Sequence, residues 1–264
     1  MEPYQHLSGF YLNSLIVESI IYIEQLKKRY NGSQEEALKG VNLEIKSGEF
    51  FGLLGPNAAG KSTLISILCG ILSPSSGKVE VFGENLKRNR EQIKSRIGLI
   101  PQEIALYPTL TVEENILYFG RLHGIPGKTL RDKTSESIRL FNLEEHRKKP
   151  ISKCSGGIKR RVNLIAGVIH QPQLILLDEP TLGVDPQLRS MIFDFLRELN
   201  EAGATLIYTT HYMKEAEELC KRVGIIDHGI ILKKGSPAHL IASEPGCKDL
   251  GQLFLNLTGR DLRD

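Results

Sequence analysis

Residues 50–63, FFGLLGPNAAGKST, decide the fold of this 264-residue chain. The apolar run FFGLL at 50–54 leads directly into Gly55, and the residues after Gly60 open an apolar segment with helical spacing. A short apolar strand, a glycine-containing turn and a helix in this order are typical of proteins in which helices flank a mostly parallel sheet. The stretch therefore predicts an α/β protein with a ligand-binding loop at the end of a strand.

The loop has the residue types that hold a nucleotide's phosphates. Its backbone N–H groups and the positive end of the following helix attract anions, Lys61 supplies a charge for the outer phosphates, and the Ser62 hydroxyl can ligate Mg²⁺. Alone, this pattern leaves kinases, GTPases and transport ATPases as alternatives. We predict an MgATP site on Gly55, Pro56, Asn57, Ala58, Ala59, Gly60, Lys61, Ser62 and Thr63.

The rest of the chain repeats the alternation of short apolar runs and helical segments. It predicts a P-loop NTPase core with a mostly parallel sheet, an antiparallel β edge and an inserted helical subdomain at about 103–171. We expect an N-terminal extension of unknown role at 1–17, the core at 18–242 and a helical tail at 243–264. The predicted strands are 19–25, 41–45, 50–54, 78–82, 97–101, 174–178, 205–209, 223–227 and 230–233.

Composition narrows the function classes. The net charge of +3 is small for this length and gives no electrostatic footprint for nucleic acid, so we expect no nucleic-acid partner. The apolar stretch 9–23 contains Asn13 and Glu18 and is shorter than the roughly 20 apolar residues of a membrane-spanning helix. The four cysteines are far apart, which indicates a reducing compartment. We therefore expect a cytoplasmic protein whose membrane role comes through a partner.

Polar residues follow several predicted strands at the sheet edge where open α/β folds bind ligands. Asp178 and Glu179 end the run LILLDE, and they suit Mg²⁺ binding and polarisation of an attacking water. His211 and Gln102 end two other strands; either is unremarkable alone. Likewise, an apolar strand that ends in two acids is as often structural as functional.

The segment Ser155-Gly156-Gly157 precedes an apolar helix. In isolation this segment is explained by a structural role as the N-cap at the start of a helix. The basic residues at 159–161 oppose the helix dipole, however, which is less unusual beside phosphate.

Taken together, residues 30–235 resemble the ATP-binding-cassette (ABC) ATPases, with five motifs in the family's order. GPNAAGKST resembles the Walker A loop, CSGGI at 154–158 the signature and LILLDE at 174–179 the Walker B strand. By the same resemblance Gln102 is the Q-loop glutamine, His211 the switch histidine, Asp185 the D-loop aspartate and Tyr30 the aromatic residue that stacks on adenine. A turn tyrosine at a strand end remains the alternative for Tyr30.

The resemblance also implies a mechanism. In this family two cassettes form a head-to-tail dimer, in which Ser155 and Gly157 of one chain would close over ATP held by Lys61 of the other. Glu179 would be the general base, His211 would contact the γ-phosphate, and Gln102 would join Ser62 and Asp178 around Mg²⁺. The partners implied are a second cassette, identical or related, and an integral membrane permease, which places the chain on the cytoplasmic face of the membrane.

Two segments, 105–124 and 254–264, resemble the subgroup that serves type 2 exporters of drugs, lipids or polysaccharides. The chain departs from the family at Ala58, where glycine is usual, and at Cys154 and Ile158 beside the signature. Ala58 could cost about 1 kcal/mol if the position needs a positive φ. The alternatives to a transport ATPase are a cassette protein of translation or chromosome maintenance, and a regulatory subunit with slow turnover.

Overall fold

The computed structural model describes residues 18–259, so the predicted extension at 1–17 and the end of the tail at 260–264 lie outside the described residues. The strands are β1 (Ser19–Arg29), β2 (Glu36–Lys46), β3 (Phe50–Leu54), β4 (Ser76–Val81), β5 (Glu84–Asn85), β6 (Ile97–Ile100), β7 (Leu174–Asp178), β8 (Thr205–Thr210), β9 (Arg222–Asp227) and β10 (Ile230–Gly235). The α-helices are α1 (Lys61–Leu68), α2 (Arg90–Lys94), α3 (Val112–Leu122), α4 (Gly127–Leu140), α5 (Gly156–Val168), α6 (Pro186–Glu201), α7 (Met213–Leu219), α8 (Pro237–Ala242) and α9 (Leu250–Thr258).

The central sheet has six strands in the order β10-β9-β3-β8-β7-β6. Five of them are parallel, and only β10 pairs antiparallel, at one edge. Every residue of β3, β7 and β8 is buried, as expected for parallel strands covered on both faces. The carboxyl ends of β3, β8, β7 and β6 therefore lie side by side at one edge of the sheet.

The side chains of each central strand pack alternately into two hydrophobic cores, one on each face of the central sheet. Phe50 and Leu54 of β3 belong to the core that contains α3 to α7, whereas Phe51 and Leu53 belong to the core that contains α1 and the second sheet. Successive side chains of a strand point to opposite faces. The helix that follows the phosphate loop and the helix that follows Ser155 thus lie on opposite faces of the central sheet.

The second sheet is antiparallel, with four strands in the order β2-β1-β4-β5. Its strand β1 runs four residues beyond the predicted end at Gln25, which has a φ of 47°. The register against β2 shifts between Ile23 and Leu26, so a bulge lies where the predicted strand ends, and the strand continues beyond it. This sheet and β10 supply the predicted antiparallel β edge, and the α/β class is confirmed.

Between β6 and β7 the chain forms α3, α4, α5 and two short 3-10 turns, Glu144–His146 and Ile151–Lys153. A reciprocal capping box of Thr111 and Glu114 starts α3. No helix within residues 18–259 is long and apolar enough to cross a bilayer.

Candidate functional site

The loop 55–60 has the backbone of a tight anion nest. A Cβ on Gly55 would lie 2.2 Å from the carbonyl oxygen of Ile226, so only glycine fits there. Gly60 has a φ of 108°, and Ala58 has a φ of 64° in the left-handed region. The usual glycine at position 58 therefore has a conformational reason, and Ala58 carries strain. No side chain caps α1 at Gly60, which leaves its first N–H groups for an anion.

Lys61 is the first residue of α1, and its side chain folds back onto this loop. Its Nζ donates to the carbonyl oxygens of Gly55 at 2.7 Å and Pro56 at 3.1 Å, and lies 3.1 Å from Oε1 of Glu179. Lys61 and Glu179 are only 5% and 6% exposed, so two buried charges compensate each other. The contact joins the loop after β3 to the carboxylate after β7.

Glu179, His211 and Asp178 meet at the end of β8. Nδ1 of His211 lies 3.0 Å from Oε2 of Glu179, a distance suited to a hydrogen bond donated by the imidazole. The Thr209 hydroxyl donates to Oδ1 of Asp178 at 2.6 Å and accepts from the Glu179 N–H at 3.1 Å. Glu179 has a φ of 47°, so the backbone turns sharply as β7 ends. The structure thus brings together Lys61, Asp178, Glu179 and His211.

The oxygen donors near this edge suit Mg²⁺. The Ser62 hydroxyl is exposed at the start of α1, and Asp178 is held by Thr209 at the end of β7. Among residues 18–259 no group of three or more His, Cys, Asp and Glu side chains could hold a metal. Mg²⁺ is usually held by one or two carboxylates together with substrate phosphates, and this donor set fits that pattern.

Tyr30 lies beside the far end of the phosphate loop. Its hydroxyl is 3.0 Å from Oγ1 of Thr63, and 42% of the residue is exposed. Nζ of Lys28 lies 5.4 Å from the centroid of the ring. An exposed aromatic ring next to a phosphate loop is well placed to stack on a nucleotide base.

Gln102 leaves the sheet two residues beyond β6, and its side chain is exposed. Arg160 on α5 donates to the carbonyl oxygens of Pro101 and Gln102, at 3.3 and 3.0 Å. Arg161 donates to the carbonyl oxygen of Phe141 at 2.9 Å. Both basic residues donate to backbone carbonyl oxygens of their own chain, and the suggestion that residues 159–161 lie beside phosphate stays a prediction. Arg160 anchors the segment that carries Gln102.

Ser155, Gly156 and Gly157 lie at the start of α5, which packs on the opposite face of the central sheet from α1. Ser155 caps α5 by accepting from the Ile158 N–H, and Ile158 itself is buried in the core. A Cβ on Gly156 would meet no atom within 4 Å, and one on Gly157 would meet only Leu188 at 3.2 Å. Contacts within the chain therefore give little steric reason for glycine, rather than a larger residue, at positions 156 and 157.

Asp185, like Ser155, has a local role as a helix cap. Its Oδ1 accepts from the N–H groups of Gln187 and Leu188 at the start of α6. These two hydrogen bonds form an ordinary N-cap, and Asp185 is exposed at the start of the helix.

Sequence reasoning missed Glu215, a buried carboxylate behind the His211 loop that accepts hydrogen bonds from three hydroxyl groups. Glu217 and Glu218 on the same helix are exposed. The only signal was position, because Glu215 lies four residues before the buried Leu219 and thus on the same helical face.

A nucleotide-phosphate loop, a buried lysine–glutamate pair and a histidine at the end of the intervening strand define a P-loop ATPase site. The family model described as "ABC transporter" matches residues 38–182, more than half of the chain. The chain belongs to the ABC transporter family. It is an ATP-binding subunit with ATPase activity, and its cofactors are ATP and Mg²⁺.

Two relatives illustrate the match. The linearmycin resistance ATP-binding protein LnrL of Bacillus subtilis is 43% identical over 221 residues, covering 84% of this chain and 70% of the relative. The Nod factor export ATP-binding protein I of Paraburkholderia xenovorans is 39% identical over 237 residues, covering 90% and 77% of the two chains.

Solved structures agree in fold. The ATP-binding subunit of an ABC transporter superposes with a TM-score of 0.83 at 26% identity, over 90% of this chain and 99% of the other. A dimeric ATP-binding cassette in a post-hydrolysis state with ADP and Pi gives a TM-score of 0.74 at 28% identity, over 82% and 98% of the two chains. The predicted family and fold are confirmed.

Proposed function

We propose that this chain hydrolyses ATP in a composite site shared with a second cassette, and thereby powers export through a separate membrane permease from the cytoplasmic face. The names of the two relatives, one for export and one for resistance, support the direction. The single observation that carries the proposed site is the chain of contacts from Lys61 through Glu179 to His211.

This chain of contacts suggests how the site responds to ATP. Lys61 pairs with Oε1 of Glu179, and a γ-phosphate entering the loop competes for the same ammonium group. When Lys61 turns to the phosphate, Oε1 becomes free to accept a proton from the attacking water, while His211 still holds Oε2. ATP thereby releases its own general base, and His211 stays within reach of the transferred phosphoryl group.

Ser62, Asp178 and Gln102 are the residues that would hold Mg²⁺. The ion would supply charge neutralisation on the outer phosphates. Thr209 fixes Asp178 through a 2.6 Å hydrogen bond, and Arg160 fixes the backbone of Gln102. Tyr30 would stack on adenine, and Asp185 would face the second cassette.

The two-core arrangement supports completion of the site by another chain. Leu64 of α1 and Ile158 of α5 lie in different cores, separated by the central sheet. This placement supports closure of Ser155 and Gly157 over the phosphate loop of another chain rather than over the loop that follows β3 of their own chain. In a head-to-tail pair the exposed start of α5 would face the partner's phosphate loop, and its free N–H groups would bind the γ-phosphate.

A groove beside α3 supports a permease partner. A cavity of about 260 Å³ is lined by Phe119, His123, Asn163 and His170, and Nδ2 of Asn163 is buried without a hydrogen-bond partner among the described residues. An apolar groove with an unpaired donor suits the end of a helix, whose last carbonyl groups need donors. Co-expression with a candidate permease should give a complex in membranes whose ATPase rate exceeds that of the cassette alone.

The ATPase site is tested by Glu179→Gln and Lys61→Ala. Glu179→Gln keeps the shape of the side chain but removes the base, so we expect it to bind MgATP, to form a stable dimer in size-exclusion chromatography and to turn over no ATP. Lys61→Ala should lose MgATP binding and remain monomeric. A Glu179→Gln protein that hydrolyses ATP at the original rate would contradict the assignment of the base.

The composite nature of the site is tested by mixing two inactive variants. Lys61→Ala disables the loop, and Gly156→Asp places a carboxylate where the partner's phosphate would lie, although its own chain leaves open space there. A mixed dimer contains one site with both halves intact, so mixing should restore hydrolysis. No recovery on mixing would contradict a shared site.

Gly127→Asp is the matched control, because Gly127 also begins a helix and would also meet no atom within 4 Å. It should leave ATPase activity unchanged, with or without a partner variant.

A further inference from the structure

A buried polar cluster lies directly behind the His211 loop. It consists of Thr181, Tyr208, Thr210 and Glu215, and we call it the Glu215 cluster. The carboxylate of Glu215, a residue only 4% exposed, accepts from Thr181 Oγ1 at 2.9 and 3.0 Å, from the Tyr208 hydroxyl at 2.8 Å and from Thr210 Oγ1 at 3.0 Å. All three donors are themselves buried.

Packing alone does not account for this carboxylate. A buried charge is unfavourable by several kcal/mol unless hydrogen bonds and a counter-charge compensate it, and a leucine of similar size would fill the same space in an apolar core. The neighbours of Glu215 on α7, Ala216 and Leu219, do belong to that core. Nε of Arg189, outside the cluster, lies 3.5 Å from Oε1 of Glu215 and supplies a counter-charge.

The donors to Glu215 come from two separate segments of the site. Thr181 lies in the turn that leads from Glu179 to Asp185, whereas Thr210 directly precedes His211. Thr210 Oγ1 also accepts from the Tyr212 N–H at 2.9 Å, so the hydroxyl holds the backbone on both sides of His211. The ring of Tyr212 packs against the imidazole, with centroids 4.2 Å apart.

Tyr208 reinforces the link. Burial, and next the charge of Glu215, raise the pKa of the Tyr208 phenol well above its ordinary value, so the hydroxyl stays protonated and donates. Its oxygen also lies 2.9 Å from Thr181 Oγ1. One carboxylate thus holds together the turn after β7 and the end of β8.

We infer that Glu215 is a positioning residue for ATP hydrolysis: it fixes His211 relative to Glu179 and couples both to the turn that ends at Asp185. This inference rests on the proposed roles of Glu179, His211 and Asp185. Glu215 itself does not touch the nucleotide. Removing its hydrogen bonds therefore slows the chemical step and leaves ATP binding, which uses the loop 55–63 and Tyr30, unchanged.

The test compares variants of the full chain by their kcat, their MgATP dissociation constant and their thermal midpoint. Thr181→Val removes one donor with little change in volume, and Glu215→Gln removes the charge. Both should lower kcat by about tenfold, equal to 1.4 kcal/mol in the barrier, with an unchanged dissociation constant. Thr181→Ser keeps the hydroxyl and should keep the original kcat. The double variant should be no slower than Glu215→Gln alone, because both changes break the same link.

Asn200→Ala is the control for stability. Asn200 lies in α6 and donates to the carbonyl oxygens of Gly48 and Ala204, remote from the site, so it should lower the thermal midpoint and leave kcat unchanged. The inference is overturned if Glu215→Gln and Thr181→Val keep the original kcat, or if they weaken MgATP binding in proportion to kcat. The inference is also overturned if Asn200→Ala lowers kcat together with the thermal midpoint to the same extent as Glu215→Gln and Thr181→Val, because the loss of kcat would then follow stability alone.

The proposed function is checked in the same assay. The unmodified chain must hydrolyse MgATP, and Glu179→Gln must not. If the unmodified chain does not hydrolyse MgATP, or if Glu179→Gln does, the proposed site is overturned together with the inference. If both behave as expected but Glu215→Gln keeps the original kcat, the inference alone is overturned.

Discussion

Replacing Ala58 by glycine should stabilise the protein. Ala58 has a φ of 64°, and the left-handed region is unfavourable for an L-residue by about 1–2 kcal/mol. Glycine relieves this strain but loses more backbone entropy on folding, about 0.5–1 kcal/mol. Because Ala58 is exposed, its methyl group contributes little packing. The net gain in the free energy of unfolding is therefore about 0–1.5 kcal/mol, and its midpoint corresponds to roughly 2 °C in Tm for a chain of this size.

The neighbouring alanine provides a matched control. Ala59 is 2% exposed, does not have a positive φ, and its methyl group packs in the core. Ala59→Gly removes that methyl group from the core and increases the backbone entropy of the unfolded chain. It should therefore lower the free energy of unfolding by about 1–2 kcal/mol. The same substitution at adjacent positions thus has opposite expected signs.

Urea unfolding in the absence of nucleotide measures both effects. The chain contains no tryptophan, so far-UV circular dichroism is the suitable probe. The strain exists in the folded loop before ATP binds, and we expect Ala58→Gly to raise the midpoint without changing MgATP affinity. If Ala58→Gly instead lowers the midpoint, as Ala59→Gly should, the left-handed backbone at 58 is not strained and the reasoning fails.

Three other outcomes follow from the contacts. Arg160→Met leaves two backbone carbonyls without donors and should lower the free energy of unfolding by about 1–3 kcal/mol in urea, with a lower ATPase rate at temperatures where it is folded. Tyr30→Ala should weaken MgATP binding by about tenfold in equilibrium binding, whereas Tyr30→Phe keeps the ring and should bind normally. Burial is the main cause, and the charge of His123 the second, that lowers the pKa of His170 from 6.5 to about 4. As the pH falls, His170 therefore takes up a proton in the unfolded chain at a higher pH than in the folded chain. Stability should therefore fall by up to about 3 kcal/mol as the pH drops from 6.5 to 4, and His170→Gln should remove that part of the loss in urea unfolding at pH 7.5 and 4.5.

The sequence predicted the sheet well because its strands are continuous apolar runs between polar turns. The predicted bounds of β3 and β7 matched those of the structure. It missed α2, in which Ile93 is the only buried residue of five, and β5, which has two residues. Elements this short bury too little to leave a periodic pattern.

The candidate site was predictable where a residue type and a strand end coincide, as at Glu179 and His211. It was not predictable for Arg160 and Glu215, because their roles depend on which backbone or hydroxyl groups lie opposite them in space. Arg160 contacts a carbonyl 58 residues away in sequence, and Glu215 a hydroxyl 34 residues away. The basic residues 159–161 drew attention for their charge, whereas the geometry of the Arg160 side chain decides its role.

Two residues of the proposed site have a positive φ. Ala58 lies in the phosphate loop, and Glu179 is the proposed general base. They differ in what a relieving substitution would remove. Glycine at 58 removes only an exposed methyl group, so the strain there is a property of this sequence and not a requirement of the site. Glycine at 179 would relieve similar backbone strain but would leave Lys61 buried without its carboxylate partner and His211 without its acceptor. The strain at Glu179 is thus inseparable from the chemistry, whereas the strain at Ala58 can be removed, and the sign of the Ala58→Gly experiment tests that second statement.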